Sequence, residues 1–63
     1  MKVQNKVIIV TGGGRGMGRE LVLSLLAKNA IAVAIDINDA ALQETVSLAG
    51  DKKTLLSSFV VNG

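Results

Sequence analysis

The chain has 63 residues, well below the ~100–200 residues of an ordinary domain, and 49% of them are hydrophobic, which is too many for a disordered chain. It has no Cys and no His, which excludes a disulfide framework, a zinc site on those residues and catalysis by either. Seven basic and five acidic residues are scattered, and one Phe is the only aromatic, so nucleic-acid binding is not expected. No apolar run approaches the ~20 residues of a membrane span, and the lack of Cys fits a cytoplasmic protein.

The first predicted elements are a strand over residues 6–11 and a helix over residues 17–28. The apolar residues of the strand are continuous, which is typical of a strand buried on both faces of a parallel sheet. Met17, Leu21 and Leu25 are expected in the core, whereas Arg19 falls outside the apolar face of the helix. Five of the seven glycines lie between positions 12 and 18, where the strand gives way to the helix.

A second buried strand is predicted over Ile31–Asp36, followed by a helix over Asp39–Ala49. Asn38 is suited to cap the start of that helix, and Gly50 to end it. Residues 51–53 indicate a polar turn, and residues 54–61 a third strand. The alternation of strands and helices predicts an α/β fold: the βαβαβ half of a doubly wound parallel sheet, three-layer αβα, with strand order 3-2-1.

The glycine-rich segment Thr11-Gly-Gly-Gly-Arg-Gly-Met-Gly18 suits a phosphate site. Gly12 permits a sharp turn, a side chain at Gly16 would block a diphosphate, and Gly18 would let the helix pack tightly against the strands. The N–H groups of the first helical turn would face the ligand. A carboxylate, Asp36, follows 18 residues beyond Gly18, at the end of the next strand, which is the context of a Rossmann-type dinucleotide site.

Two other interpretations of the glycines are weaker. A glycine-rich turn in an unrelated α/β protein would not explain the strand, helix and carboxylate around it. A P-loop needs Lys followed by Ser or Thr, and this chain has Arg19 and Glu20 there, so triphosphate chemistry is poorly supported.

The same segment resembles the Thr-Gly-x-x-x-Gly-x-Gly signature of the short-chain dehydrogenase/reductase family, and its flanks, residues 6–11 and Ile35-Asp36, also fit. The resemblance covers residues 1–63, about the first quarter of a typical member, so the chain is expected to be the N-terminal part of a dinucleotide-binding domain whose remainder is absent. It implies an NAD(P)-dependent oxidoreductase that transfers hydride to or from an alcohol or carbonyl, such as a 3-oxoacyl-acyl-carrier-protein reductase or a small sugar-alcohol or diol dehydrogenase. It also implies a homo-oligomer, dimer or tetramer, formed through later helices.

The resemblance implies which residues would bind the cofactor. Thr11 would brace the glycine turn, Asp36 would accept hydrogen bonds from the adenosine ribose, and Asn62 stands where the family often has an Asp that touches adenine. The full candidate set is Thr11, Gly12, Gly14, Arg15, Gly16, Met17, Gly18, Asp36, Ile37 and Asn62. The family's catalytic Ser, Tyr and Lys lie downstream, and this chain has no Tyr, so we expect no hydride transfer from it alone.

Asp36 and Arg15 give opposite indications about the cofactor. A carboxylate at Asp36 suits the 2′-hydroxyl of NAD and repels the 2′-phosphate of NADP, whereas a base at the position of Arg15 accompanies NADP in some members of the family. NAD is favoured, because Asp36 at its strand end faces the ribose directly. Three alternatives remain open: Asp36 is only a solvated acid, Arg15 is a solvated side chain, and Asn62 is a turn residue.

Two alternative functions remain open. The protein could be a non-catalytic dinucleotide sensor, which a Tyr-x-x-x-Lys pair later in the chain would exclude. It could also be an inactive truncated fragment. On its own, a chain of this length would expose an apolar strand edge, so we expect it to be poorly folded or self-associated.

Overall fold

The computed structural model describes residues 2–61, which form three parallel strands separated by helices. The bounds of the elements are β1 (Val7–Thr11), α1 (Gly16–Ala27), β2 (Ile31–Asp36), α2 (Asp39–Ala49), a 3-10 helix (Gly50–Leu55) and β3 (Leu56–Val60). The predicted α/β class and the βαβαβ order are confirmed. None of the helices in this part of the chain is long and apolar enough to cross a membrane.

The sheet brings the carboxyl ends of its strands to one edge. Taken across the sheet, the strands run β1-β2-β3, and both neighbouring pairs are parallel. In this register Thr11 pairs with Ile35, and Asp36 pairs with Val60. The glycine segment that follows Thr11 therefore emerges beside Asp36, as expected for ligand sites at the carboxyl edge of α/β sheets.

The core lies between one face of the sheet and the two helices. Val22, Leu25 and Leu26 of α1 and Leu42 of α2 are buried, and they belong to one cluster with Val10, Ala32 and Ala34 of the strands. In β1, Val7 and Ile9 alternate with the half-buried Ile8 and the buried Val10, and are each 64% exposed. The prediction that this strand is buried on both faces is therefore wrong for residues 2–61. These residues form two layers, and they leave the second sheet face uncovered.

Two further core predictions are wrong, and one is confirmed. Leu25 is buried, but Met17 is 89% exposed and Leu21 is 48% exposed. Met17 lies in the first turn of α1, and Leu21 lies at the margin of the buried stripe on that helix. The apolar pattern identified the helix, but its packing on a single sheet face decides which apolar residues are covered.

The helix ends follow from local backbone signals. Asn29 has φ +63°, and the pair of bonds from Asn29 N–H to Leu26 O (2.9 Å) and from Ala30 N–H to Leu25 O (3.0 Å) closes α1 as a Schellman motif. Asn38 caps α2 as predicted, because its Oδ1 accepts from Ala41 N–H at 2.9 Å. Gly50, with φ +57°, ends α2, also as predicted.

The segment after α2 differs from its prediction. The sequence predicts a polar turn over residues 51–53 and a strand over residues 54–61, but Gly50–Leu55 is a 3-10 helix and β3 is limited to Leu56–Val60. Lys52 donates from Nζ to Asn29 Oδ1, and Leu55 packs against the core. Contacts with residues distant in sequence thus stabilise a 3-10 helix where the sequence predicts a polar turn.

Candidate functional site

The glycine segment between β1 and α1 contains two residues in the left-handed backbone region. Gly12 has φ +71° and Gly16 has φ +57°. A Cβ atom at either would meet no atom within 4 Å, so backbone conformation, not lack of space, requires glycine there. The N–H groups of Gly12 and Gly13 both donate to Ile35 O, at 2.6 and 3.1 Å. The loop is thereby tied to the end of β2, and open space remains beside Gly12 and Gly16.

The other three glycines are required by close contact. A Cβ at Gly18 would lie 2.0 Å from the carbonyl oxygen of Gly12, a Cβ at Gly13 would lie 2.7 Å from Ala34 Cβ, and one at Gly14 would lie 2.8 Å from Asp36 Oδ2. Gly18 was expected to permit close packing of α1 on the strands. Its tightest contact is instead with the backbone of the glycine loop itself.

The N-terminus of α1 has no side-chain cap. Arg15 occupies the N-cap position but makes no capping hydrogen bond, and the first turn contains no acidic residue. By contrast, α2 has Asn38 as its cap and Asp39 in its first turn. The first N–H groups of a helix need acceptors from outside it and carry the positive end of the helix dipole. The start of α1 is therefore suited to an anionic ligand such as a diphosphate.

Asp36 is fixed at the edge of this loop by backbone donors. Its Oδ2 accepts from Gly14 N–H at 3.0 Å, and its Oδ1 accepts from Asn38 N–H at 3.2 Å. The pKa of Asp36 lies below its ordinary value, chiefly because the Asn38 N–H donates to the carboxylate. Partial burial raises this pKa, but the N–H groups of Gly14 and Ile37 and the charge of Arg15 lower it further. The carboxylate is thus ionised and oriented, and each oxygen keeps a lone pair for a further donor.

A shallow groove of about 400 Å³ opens beside Asp36. Its lining is mostly apolar and consists of Thr11, Gly12, Ile35, Asp36, Ile37 and Val61. Such a surface suits a flat heterocycle whose polar neighbour binds the carboxylate. Asn62, the last residue of the predicted set, lies outside the described residues.

A polar cluster behind the loop, with only Thr45 fully buried, was not predicted from the sequence. Arg19 donates from Nη2 to Gly14 O at 2.6 Å and from Nε to Thr45 Oγ1 at 3.0 Å, and its Nη1 forms an ion pair with Glu44 Oε1 at 3.3 Å. Thr45 is fully buried, and its Oγ1 lies 3.2 Å from Gly13 O and 3.1 Å from Gly14 O. The one sequence signal was a Thr within the apolar stripe of α2.

The predicted site residues therefore form two neighbouring groups. Thr11, Gly12, Asp36 and Ile37 line the groove, and Gly14 joins it through its bond to Asp36. The remaining described members of the set, Arg15, Gly16, Met17 and Gly18, stand at the start of α1. No group of three or more acidic, His or Cys side chains within residues 2–61 is placed to hold a metal ion.

Comparisons with known proteins agree with this geometry. The sequence profile of the short chain dehydrogenase family matches residues 6–62. The 2,5-dichloro-2,5-cyclohexadiene-1,4-diol dehydrogenase of Sphingobium indicum is 46% identical over 50 residues, which cover 79% of this chain and 20% of the relative. The chain thus spans about one fifth of that relative's length.

Solved structures share the fold. Carveol dehydrogenase from Mycobacterium avium, in complex with NAD, is 27% identical, with a TM-score of 0.84, over 97% of this chain and 26% of its own. A short chain dehydrogenase from Escherichia coli CFT073, complexed with NADPH, shares the fold at 22% identity and a TM-score of 0.82, over 97% and 26% of the two chains. Similar folds thus occur with either nicotinamide dinucleotide.

Proposed function

The chain belongs to the short-chain dehydrogenase family, and on that premise we propose that it is the cofactor-binding segment of an oxidoreductase that prefers NAD. The observation that carries the proposal is the position of Asp36. Its ionised carboxylate is held by Gly14 N–H, next to an uncapped helix N-terminus and an apolar groove. Half a dinucleotide has three chemical parts: a phosphate, a ribose and a base. The helix N-terminus suits the phosphate, the carboxylate suits the ribose hydroxyls, and the apolar groove suits the base.

The diphosphate would bind at the start of α1, where Gly12 and Gly16 leave the backbone open. The ribose hydroxyls would donate to Asp36, and the adenine would lie in the groove between Ile37 and Val61. Arg15, exposed at the N-cap, would reach the diphosphate from outside. The bound nicotinamide would supply the hydride acceptor or donor.

The preference for NAD follows from charge. NADP carries an additional phosphate on the adenosine ribose, and that group would meet the Asp36 carboxylate. Two unit charges ~4 Å apart repel by about 1 kcal/mol in water and about 4 kcal/mol at an effective dielectric constant of 20. Asp36 is partly exposed, so its effect falls between these limits. The positive charge of Arg15 is on an exposed side chain, so it offsets only part of the repulsion between Asp36 and the 2′-phosphate.

The reaction is the interconversion of an alcohol and a carbonyl compound. The relatives named above are dehydrogenases of a chlorinated cyclohexadienediol and of carveol, which supports a secondary alcohol on a ring as the substrate class. The proton-transfer residues would come from elsewhere in the protein, because this chain has no Tyr. The proposal includes a cytoplasmic location for the protein and its assembly into a homo-oligomer.

The test uses the protein expressed from its complete reading frame. NAD and NADP are titrated by calorimetry, and NADH formation is followed by absorbance with cyclic secondary alcohols as substrates. Tighter binding of NAD with alcohol-dependent NADH formation is expected. Binding without any turnover would favour a dinucleotide sensor, and absence of binding would refute the proposal.

A further inference from the structure

We propose that Arg19 and Thr45 are positioning residues that set the preference of the site for NAD over NADP by fixing Asp36 through the glycine loop. The inference rests on the proposed function, since it concerns the same site. Neither residue faces the groove beside Asp36. Both lie behind the loop, at the junction of α1 and α2, and their effect on a ligand would pass through the backbone of Gly13 and Gly14.

The loop carbonyls point toward this junction. Arg19 Nη2 lies 2.6 Å from Gly14 O and 3.2 Å from Ala41 O. Thr45 Oγ1 accepts from Arg19 Nε at 3.0 Å and lies within 3.2 Å of the carbonyl oxygens of Gly13 and Gly14. The single hydroxyl proton of Thr45 has three alternative acceptors, because Ala41 O also lies 3.2 Å from Oγ1. Arg19 already donates to Gly14 O, which leaves the Thr45 proton available to Gly13 O.

Peptide geometry transmits this contact to the cofactor side. In a planar trans peptide, the carbonyl of one residue and the N–H of the next point in opposite directions. Because the Gly13 carbonyl points at Thr45, the N–H of Gly14 points the other way, at Asp36 Oδ2, 3.0 Å distant. A hydrogen bond from the Thr45 hydroxyl to Gly13 O thus stabilises the peptide orientation in which Gly14 N–H donates to Asp36.

Tight packing strengthens the coupling. A Cβ at Gly14 would lie 2.8 Å from Asp36 Oδ2 and 3.0 Å from Ala41 Cβ, so the loop fits between Asp36 and α2 without spare volume. If the Gly13–Gly14 peptide rotates, Asp36 loses its Gly14 donor and keeps only the N–H groups that follow it in the chain, such as that of Asn38. A carboxylate free to turn away would meet the 2′-phosphate less directly.

A purely structural role for the pair makes a different prediction. If Arg19 and Thr45 only join α1 to α2, their replacement would lower the unfolding temperature and leave unchanged the ratio of the dissociation constants for NADP and NAD. If they act through Asp36, that ratio falls, and it falls only while Asp36 is present. The ratio is therefore the decisive quantity.

The experiment measures this ratio by calorimetry for the protein expressed from its complete reading frame. Thr45→Val removes the hydroxyl and keeps the shape, and we expect it to lower the ratio about threefold, as for coupled groups in one hydrogen-bonded network. The fall should be smaller than that caused by Asp36→Asn, because Thr45 acts only through Asp36. Thr45→Ser, which restores the hydroxyl, is expected to restore the ratio. Thr54→Val makes the same chemical change at an exposed position of the 3-10 helix and serves as the matched control.

A double-mutant cycle completes the test. In an Asp36→Asn background, Thr45→Val is expected to cause no further change in the ratio. If Thr45→Val does not fold, Arg19→Lys replaces it, because an ammonium group keeps the charge but cannot occupy the Nε and Nη2 positions together. An unchanged ratio in a folded variant, or an equal fall without Asp36, would overturn the inference alone. Wild-type protein that binds neither dinucleotide would refute the proposed function, and the inference with it.

Discussion

Replacement of Gly18 by alanine tests the geometry of the glycine loop most severely. The added Cβ would lie 2.0 Å from the carbonyl oxygen of Gly12 and 2.7 Å from the carbonyl carbon, both of them backbone atoms. No side-chain rotation can relieve the overlap, so α1 and the loop must separate. In an exposed helix interior, the same substitution would stabilise the protein by up to about 1 kcal/mol, because alanine is the better helix former. The sign of the effect therefore distinguishes the contact from helix propensity.

The magnitude follows from the overlap. Overpacking of a well-packed site costs about 1–3 kcal/mol, and occasionally more. Because the displaced atoms are backbone, we expect a loss of about 3 kcal/mol in the free energy of unfolding for Gly18→Ala, together with weaker dinucleotide binding. Gly16→Ala is the matched control, since its Cβ would meet nothing within 4 Å and only its φ of +57° is strained. Strain of that kind costs roughly 1–2 kcal/mol.

The assay is urea unfolding followed by circular dichroism, with NAD titration of the folded variants. Gly18→Ala is expected to be less stable than Gly16→Ala, and both less stable than the wild type. A Gly18→Ala protein as stable as the wild type, with unchanged affinity for NAD, would show that the close approach of α1 to the loop does not exist.

Three further predictions concern charge, core and surface. The Asp36 carboxylate has a lowered pKa in the folded state, so the stability that it contributes should be complete above its ordinary pKa and lost as the pH falls through the lowered value. Urea unfolding of wild type and Asp36→Asn at a series of pH values should show the difference in stability shrink toward the acid end. A difference that grows there would contradict the assignment. Leu42→Ala, at a site 1% exposed, should lower the free energy of unfolding in urea by about 2–5 kcal/mol. Leu21→Ala, at a site 48% exposed, should lower it clearly less. Equal losses for the two variants would contradict the described core. The 63-residue chain made alone should self-associate through its uncovered sheet face, where Ile9 is 64% exposed. Ile9→Lys should reduce the association that sedimentation measures. A monomer with a sharp cooperative melt would contradict the prediction of self-association.

Much of the fold and part of the site could be predicted because their signals are local. The strand before the glycines, the Asn38 cap and the glycine at position 50 are each read within a few residues. Asp36 could be placed at the sheet edge because parallel strands end together. Its bond to Gly14 gives a reason for glycine at that position that spacing alone does not provide.

The features missed from sequence depend on contacts between distant segments. Arg19 and Thr45 are 26 residues apart, and only the packing of α1 beside α2 brings them together behind the loop. Arg19 falls outside the apolar face of α1, so its position on a helical wheel indicated solvent. Leu21 looked like a core residue because the pattern cannot show which sheet face is covered. The 3-10 helix at Gly50–Leu55 likewise includes a contact between Lys52 and Asn29.

The central claim is that Asp36 selects NAD at this loop, and a paired titration tests it most directly. NAD and NADP dissociation constants are measured for wild type, for Asp36→Asn, and for Asp39→Asn as the control carboxylate, exposed at the start of α2. Repulsion of about 1–4 kcal/mol predicts that the wild type prefers NAD by roughly 5-fold to 1000-fold. Asp36→Asn should abolish most of that preference, and Asp39→Asn should leave it intact. Equal preference in wild type and Asp36→Asn, or tighter binding of NADP by the wild type, would contradict the claim.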